Sequence, residues 1–408
     1  MLFLATTVNY LDRQVLSLTW KDFIVPEFHW SNTDYGNITA VFSIAYALSM
    51  LVAGRFVDWL GTKKGYLWAI GIWSVGACLH AFSGIAASGW LTGQWLVNFK
   101  GAKVVLENIA DAGQVTQISV TVFVFARMVL ALGEAGNFPA AIKGTAEYFP
   151  KKDRGFATSI FNAGATVGAM VAPVTIPFIA DAFGWEMSFI SIGLLGFIWM
   201  GLWVFVYDHP ERHPKVNDAE LAYIRQDHVP ESVSLEKGTR KIPFQKIFTY
   251  KQTWSFAIGK FMTDGVWWFL LFWAPAYLSS VYGLSAKQSA PQLFVLYLIT
   301  LLSIIGGWLP TYFIHKKGMN PYAGRMKAML IFAFFPVLAL FAQPLGHYSV
   351  WIPVCIIGIA GAAHQSWSAN IYSTVSDMFP KPAVATVIGI GGMAGGLSSF
   401  LINKGSGK

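Results

Sequence analysis

Residues 54–64 read GRFVDWLGTKK and stand between two apolar stretches, each long enough to form a membrane helix. Gly54 begins this segment, an acid follows four residues later, and a second glycine precedes a pair of lysines. A related segment begins at Gly307, which precedes another lysine pair by nine residues, the spacing that separates Gly54 from Lys63. The pattern predicts a short polar turn between two membrane helices, used twice along the chain.

Two more pairs of matching segments support an internal repeat. EYFPK at 147–151 and DMFPK at 377–381 each close an apolar stretch, and Ala-Thr pairs at 157–158 and 385–386 open the next one. Parallel repeats related by an axis along the membrane normal are a common way of building transporters. The sequence therefore predicts an all-α membrane protein with two similar halves.

The composition excludes an ordinary soluble protein. Of the 408 residues, 55% are hydrophobic and 12% are charged, and the mean hydropathy is +0.50, whereas soluble domains carry about 25% charged residues. Cys78 and Cys355 each lie in an apolar stretch, which favours packing over a disulfide. The apolar start of the chain lacks the basic region of a signal peptide and predicts a first span without its usual cytoplasmic lead-in.

Eleven segments are long and apolar enough to predict membrane spans of about 20 residues. Six lie in an N-terminal transmembrane half at 1–207, and five lie in a C-terminal half at 253–408, which lacks a sixth span. Between them, residues 208–252 are polar and predict a linker with a short surface helix near 218–227. The predicted spans are 1–18, 36–58, 65–87, 118–141, 155–180, 186–207, 253–281, 289–314, 326–344, 350–376 and 384–401.

The basic residues predict the orientation of these spans. The loops predicted on one side hold 20 of the 29 Lys and Arg residues, and the loops on the opposite side hold four. The basic loops are 54–64, 142–155, 208–252, 315–327 and 380–383. Cytoplasmic loops carry such an excess, so the linker and the N-terminus are predicted to be cytoplasmic. The same placement accounts for the net charge of +8 without nucleic acid as a partner.

The turn at 54–64 resembles the loop signature of the major facilitator superfamily between its second and third helices. Its glycines allow two helices and a tight turn to approach closely. Its acid and lysines can cap a helix end or pair across the two halves in one gating state, and an ordinary solvated turn is the alternative. The residues that match this gating motif are Gly54, Asp58, Gly61, Lys63 and Lys64.

Further motifs resemble the anion:cation symporter family of that superfamily. These are NYLDR at 9–13 and Arg127 seven residues before Glu134, and KFMTDGVW at 260–267 is closest to the hexuronate transporter branch. The resemblance covers essentially the whole chain. It implies a monomer in the bacterial inner membrane that imports glucuronate and galacturonate with protons by alternating access. The segment 87–117 is longer than the usual family loop and predicts a periplasmic insertion.

Ionisable residues inside predicted spans are costly in lipid and are functional candidates by default. We expect Arg13 to bind the substrate carboxylate, because its planar fork suits bidentate contact. Asp12 and Glu134 are predicted proton carriers, because a carboxyl group in a low-dielectric cavity can exchange protons near neutral pH. Arg127 would couple them to the substrate. Alternatively, these four charges neutralise one another in a purely structural role.

In the C-terminal half, Lys260 and Asp264 have the i, i+4 spacing of a helical pair. They form either a simple ion pair or a site in which Asp264 accepts hydroxyl protons from a sugar. Trp267 is expected to offer an aromatic platform to the sugar. Trp268 and Trp273 are expected to face lipid, with a platform role as the alternative.

Polar side chains on other spans complete the predicted site. Gln365 and Asn370 on the tenth span and Asn162 on the fifth offer amide groups to sugar hydroxyls. The resemblance implies that Tyr10 and Tyr46 donate their hydroxyls to the anion.

Other functions are less well supported by the sequence. It has no Walker motif, dinucleotide fingerprint, HExxH motif or clustered Cys and His, so we predict no ATP drive, cofactor, metal site or enzymatic activity. A second transporter hypothesis is another sugar acid, such as galactonate or glucarate, with proton or sodium coupling. A hypothesis of another class is a membrane sensor or scaffold without transport, which would have no reason to keep buried acids.

Overall fold

The computed structural model describes residues 1–149, 151–226, 244–379 and 381–407, and these residues are helical with no strand among them. Ten helices form the N-terminal half, and a π-helical turn, Trp20–Ile24, joins the first two. They are α1 (Leu2–Thr19), α2 (Val25–Phe28), α3 (Asn32–Leu60), α4 (Thr62–Ala81), α5 (Ser83–Thr92), α6 (Phe99–Glu107), α7 (Ala112–Glu134), α8 (Asn137–Tyr148), α9 (Lys151–Phe183) and α10 (Trp185–Val206).

Two short helices belong to the predicted linker and seven form the C-terminal half. The linker helix predicted near 218–227 is present, and residues 227–243 lie outside the described part. The helices are α11 (Asp218–Arg225), α12 (Phe244–Ile247), α13 (Lys251–Tyr282), α14 (Ala290–Thr300), α15 (Ile304–Lys317), α16 (Pro321–Phe334), α17 (Ala342–Leu345), α18 (Trp351–Met378) and α19 (Lys381–Ser406).

Each predicted span coincides with one helix or with consecutive helices. Six segments of the described chain are long and apolar enough to cross a membrane, and a seventh results if α4 and α5, bent by 55°, count as one span. The helices α1 and α13 carry charged residues, which lower their apolarity. The six segments are Asn32–Gly54, Ala112–Thr145, Ile160–Phe183, Trp185–Val206, Ala290–Ile314 and Tyr322–Leu345.

Several spans that the sequence predicts as continuous are broken. The span predicted at 65–87 bends at Phe82, between α4 and α5. The span at 118–141 breaks between α7 and α8, where Gly133 and Gly136 lie against α4; a Cβ on Gly133 would lie 2.3 Å from the backbone nitrogen of Trp73. The spans at 289–314 and 326–344 contain the 3₁₀ segments Leu301–Ser303 and Phe335–Phe341.

Glycines also set the position of the first helix. A Cβ on Gly164 would lie 2.5 Å from the carbonyl oxygen of Phe3, and one on Gly168 would lie 2.5 Å from that of Thr7. Small residues at such positions let membrane helices approach closely. The helix α1 is therefore held against α9, and its charged residues lie inside the bundle.

The two halves meet along α3, α13 and α19. A Cβ on Gly396 of α19 would lie 2.5 Å from the Ala47 Cβ on α3, and one on Gly265 of α13 would lie 2.5 Å from the Ser398 Oγ. Gly396 and Gly265 therefore allow α19 to pack closely against α3 and α13.

The predicted insertion at 87–117 contains a helix of its own. Asn98 caps α6 by accepting a hydrogen bond from the Gly101 N–H at 2.7 Å. Ala102 and Leu106 are buried, and α6 packs against α5 and α2. The insertion is thus folded onto the end of the N-terminal half.

Candidate substrate and proton site

A buried ion pair joins the first and fourth spans. The Nε of Arg13 on α1 donates to Oε2 of Glu134 on α7 at 2.6 Å, and the two side chains are 3% and 0% exposed. Asp12 and Arg127 are also buried and interact electrostatically with this pair. The structure therefore brings together the four charges that the sequence predicts to converge.

Several polar atoms of this cluster have no hydrogen-bond partner within the described residues. They include both carboxylate oxygens of Asp12, Oε1 of Glu134 and the side-chain amide of Asn9. Donors are left over as well, namely Nη2 of Arg13 and Nε and Nη1 of Arg127. An unsatisfied buried polar group costs about 1–3 kcal/mol. A ligand with both a carboxylate and hydroxyl groups would satisfy donors and acceptors together.

Aromatic rings surround the guanidinium group of Arg13. Its Cζ lies 4.9 Å from the ring centroid of Tyr10, 4.6 Å from that of Tyr46 and 5.0 Å from that of Trp268. Cations bind the faces of aromatic rings by attraction to the ring quadrupole. Tyr10 and Tyr46 belong to the N-terminal half, whereas Trp268 comes from α13, so the two halves share this cage.

The expectation that Trp268 and Trp273 face lipid is wrong. Trp268 is 8% exposed and Trp273 is 7% exposed. Trp273 packs edge-on against Tyr35, with ring centroids 5.0 Å apart, and donates a hydrogen bond to Oδ1 of Asn403 at 2.9 Å. Both residues lie where α13 meets the N-terminal half, and Trp273 also contacts α19. These sides of α13 therefore face protein and not lipid.

A second charged cluster lies on α13 and α18. Nζ of Lys260 lies 2.7 Å from Oδ1 of Asp264, so the predicted helical ion pair is present. The same ammonium group lies 4.3 Å from the ring centroid of Tyr372. Nε2 of His364 is 4.0 Å from the Asp264 carboxylate, and its ring is parallel to that of Trp267 at 6.2 Å. Asp264 thus has a cation and an imidazole beside it.

The other predicted amide groups differ in position. Asn370 is buried, and its side-chain nitrogen donates to the carbonyl oxygen of Ser366 within the same helix at 2.8 Å. Gln365 is half-buried on α18, and Asn162 is exposed on α9. Asn162 therefore does not share the burial of the charged clusters.

One face of α13 connects the two clusters. Lys260, Asp264 and Trp268 follow one another at intervals of four residues, and each interval rises about 6 Å along a helix. Trp268 contacts Arg13 of the first cluster, and Asp264 belongs to the second. The two clusters are thus about one helical turn apart along α13.

The turn at 54–64 is held against the start of the linker. Gly61 has a φ of +77°, which favours glycine and allows the sharp turn from α3 to α4. Nζ of Lys63 lies 3.6 Å from Oδ2 of Asp208, two residues after α10, so Lys63 pairs with the first residue of the linker. A hydrogen bond from the His209 N–H and the charge of Lys63 lower the pKa of Asp208.

The remaining residues of the motif are described only in part. Gly54 has open space around its α-carbon, and Lys64 is exposed. The side chain of Asp58 lies outside the described residues.

At the opposite end, polar contacts join the two halves, and we call three of those near the end of α13 the outer latch. Nζ of Lys287, in the loop after α13, lies 2.5 Å from Oδ2 of Asp181 on α9. Two of the four basic residues predicted on this side, Lys21 and Lys287, take part. The other two contacts are Lys21 with the Ser280 hydroxyl and Asp22 with the Ala286 N–H.

The sequence matches known proteins along nearly its whole length. The profile of the Major Facilitator Superfamily matches residues 2–402. The chain belongs to this superfamily. It is 30% identical to the hexuronate transporter of Escherichia coli K12 over 407 residues, which cover 98% of this chain and 83% of the relative. It is 26% identical to the galacturonate transporter of Dickeya chrysanthemi over 350 residues, covering 84% and 90%.

A solved structure supports the same fold. The crystal structure of a D-xylose-proton symporter superposes with a TM-score of 0.64 over 99% of this chain and 87% of that chain, at 16% identity. Because the two sequences are only 16% identical, this similarity supports the fold of the chain and gives no information about its substrate.

Two features of the site go beyond the predictions from the sequence: the contact of Trp268 with Arg13 and the outer latch. Trp268 stands four residues after Asp264, and this spacing places both on one helical face. The spacing could therefore have indicated that Trp268 lies beside the charged residues. The sequence indicates the outer latch only weakly. The loops on that side hold just four basic residues, and two of them form the latch.

Proposed function

We propose that the protein imports hexuronates, such as glucuronate and galacturonate, together with protons by alternating access across the bacterial inner membrane. The observation that carries the proposal is the buried pair of Arg13 and Glu134, with Asp12 and Arg127 beside it. The protein acts on its substrate by moving it, as a monomer with the linker at 208–252 in the cytoplasm.

Charge balance supports coupling to protons. With both acids ionised, the four side chains of the first cluster sum to zero. A monoanionic substrate adds one negative charge, and an uncompensated charge is costly in a buried site. Protonation of one acid restores neutrality, so each substrate anion travels with at least one proton.

The hydrogen bond between Arg13 and Glu134 supports a competition between proton and substrate. The ionised carboxylate of Glu134 holds Nε of Arg13 at 2.6 Å. Protonation removes the charge of Glu134 and weakens this bond, because a charge-assisted hydrogen bond is roughly twice as strong as a neutral one. Arg13 then becomes available to the substrate carboxylate. Binding of the anion and loading of the proton thus favour each other.

The second cluster suits the hydroxyl-bearing end of the substrate. The charges of Lys260 and Asp264 balance each other, so this cluster has no net charge to attract a second carboxylate. Asp264 remains a strong acceptor for hydroxyl protons, and a hexuronate has one carboxylate and several hydroxyls. The substrates named for the Escherichia coli and Dickeya relatives agree with this class of anion.

Uptake into proteoliposomes tests the proposal. The purified protein should accumulate labelled glucuronate when the lumen is more alkaline than the outside, and collapse of the pH gradient with a protonophore should abolish the accumulation. Accumulation that follows a sodium gradient instead would replace the proton with sodium. The absence of uptake of both glucuronate and galacturonate would contradict the proposed substrate class.

Substitution of Asp264 tests how the hydroxyl end is recognised. Asp264→Asn should weaken glucuronate binding by about 1–3 kcal/mol, at least about fivefold in Kd, because the acceptor loses its charge. Propionate, which has no hydroxyls, should not lose affinity. Calorimetry on the purified variants measures both ligands. Equal losses for the two ligands would make Asp264 only the helical partner of Lys260.

Alternating access requires the outer latch to open. Lys287→Gln should shift the resting protein towards its outward-open state by up to about fivefold, because exposed ion pairs contribute about 0.2–1 kcal/mol. A cysteine at the buried position Thr39, in a background without Cys78 and Cys355, should then react faster with an impermeant maleimide. Lys100→Gln is the matched control, since Lys100 is an exposed lysine on the same side. Equal labelling rates in the two variants would contradict a latch.

A further inference from the structure

We infer that Trp268 is the surface against which the ring of the sugar acid lies, and that it makes the site selective for cyclic acids over open-chain acids. The inference rests on the proposed function and concerns the side chain that lies between the two charged clusters.

Trp268 lies between the two clusters. Its ring contacts the Arg13 guanidinium at 5.0 Å, and it stands one helical turn after Asp264 on the same face of α13. A substrate whose carboxylate binds Arg13 and whose hydroxyls reach Asp264 must therefore pass along the indole ring.

Neighbouring rings hold Trp268 in place. Tyr46 packs edge-on against it at 5.5 Å, and Phe272 lies 5.5 Å away on α13. Phe42 lies 6.0 Å away on α3. Aromatic pairs of this kind stabilise a structure by more than the burial of their apolar surface alone. The indole is thus a pre-positioned surface, and it loses little freedom when a ligand binds.

The other aromatic residues are less suited to this role. Trp267 is one residue earlier, about 100° around the helix, and its ring lies parallel to that of His364. Trp273 is held by its hydrogen bond to Asn403. Tyr10 and Tyr46 contact Arg13 from its own half, whereas Trp268 reaches Arg13 from the half that carries Asp264.

The chemistry of the two kinds of acid explains the selectivity. A pyranose ring has C–H groups on its faces and equatorial hydroxyls around its edge, so it can lie on an indole while its edge groups reach polar partners. In a hexuronate the carboxylate is also an edge group, fixed relative to the hydroxyls. An open-chain aldonate has no such face, and it loses more conformational entropy when it binds in one extended form.

The test compares glucuronate with gluconate in variants of Trp268. Trp268→Leu should raise the Kd and the KM for glucuronate by about tenfold, while the maximal rate of glucuronate exchange stays within about twofold. Its Kd for gluconate, measured by competition, should change by less than about twofold. Trp268→Phe should recover most of the glucuronate affinity, because it restores an aromatic face.

Trp273→Leu is the matched control. It removes an equally buried tryptophan from the same helix, without a contact to Arg13, and should leave the preference for glucuronate unchanged. Thermal unfolding of each purified variant separates loss of folding from loss of binding. If Trp268→Leu does not fold, Trp268→Phe and Trp268→Tyr are each compared with the wild-type protein. Both variants should keep the preference for glucuronate over gluconate.

Three outcomes would overturn the inference: an unchanged glucuronate affinity in Trp268→Leu, an equal loss for both acids, or loss of the preference in the aromatic variants. If gluconate does not bind detectably to any variant, the tenfold loss for glucuronate and its recovery in Trp268→Phe decide. The failure of the proposed function looks different, because the wild-type protein would then bind neither glucuronate nor galacturonate.

Discussion

Replacement of Glu134 with Gln is expected to abolish the accumulation of glucuronate driven by a pH gradient while leaving exchange intact. The amide of Gln cannot take up or release a proton, so the transporter can no longer couple its cycle to the gradient. Exchange of internal for external substrate needs no net proton movement. Accumulation should fall to the equilibrium level in proteoliposomes, and counterflow of labelled glucuronate should continue at a rate near that of the wild type.

Glu147→Gln provides the control for this experiment. Glu147 accepts a hydrogen bond from the Thr62 hydroxyl at 2.6 Å at the far end of α8, away from the charged clusters. Its variant should keep gradient-driven accumulation. Full accumulation in Glu134→Gln would contradict the proton role of Glu134. In that case Asp12→Asn, tested in the same assay, would show whether the neighbouring acid is the only carrier.

The positions of the helices and of the first charged cluster could be predicted from the sequence. Apolar length gives the spans, and the seven-residue spacing of Arg127 and Glu134 places both on one face of a helix. Since an isolated charge is costly in lipid, four charges on the first and fourth spans are expected to meet. The 2.6 Å contact between Arg13 and Glu134 has this origin.

The breaks in the spans and the burial of α13 could not be predicted in the same way. Gly133 and Gly136 lie where α7 ends and α4 packs closely against it. The hydrophobic periodicity of a sequence does not show which helix will pack against such glycines. On α13, aromatic residues occur all around the helix, so hydrophobicity alone does not separate a lipid-facing side from one that meets the other half. Trp268 and Trp273 were misplaced for this reason.

Contacts between the two halves were also beyond the sequence pattern. Lys287 and Asp181 are 106 residues apart, and neither lies in a motif. Only the three-dimensional arrangement brings the loop after α13 to the end of α9. Such contacts decide which end of the bundle is closed, so the resting state of a transporter is harder to predict than its fold.

Replacement of Arg13 with Lys is expected to weaken glucuronate binding by about 1.5–3 kcal/mol, the scale of a hydrogen bond to a charged group, which is about tenfold or more in Kd. Lysine keeps the charge but lacks the planar fork, so its ammonium group cannot make the bidentate contact with the substrate carboxylate.

The same change tests whether charge or geometry matters at this position. Three aromatic rings face the Arg13 guanidinium. The planar guanidinium group can contact these rings with its faces while its edge donates hydrogen bonds, and a compact ammonium group cannot do both. Titration calorimetry with glucuronate measures the loss, and Lys260→Arg is the control, because it changes a cation that the proposal does not assign to the carboxylate. Unchanged affinity in Arg13→Lys would leave Arg13 as the structural partner of Glu134. A loss confined to Arg13→Lys would mean that the substrate carboxylate needs the guanidinium fork, since a positive charge remains at residue 13 in both proteins.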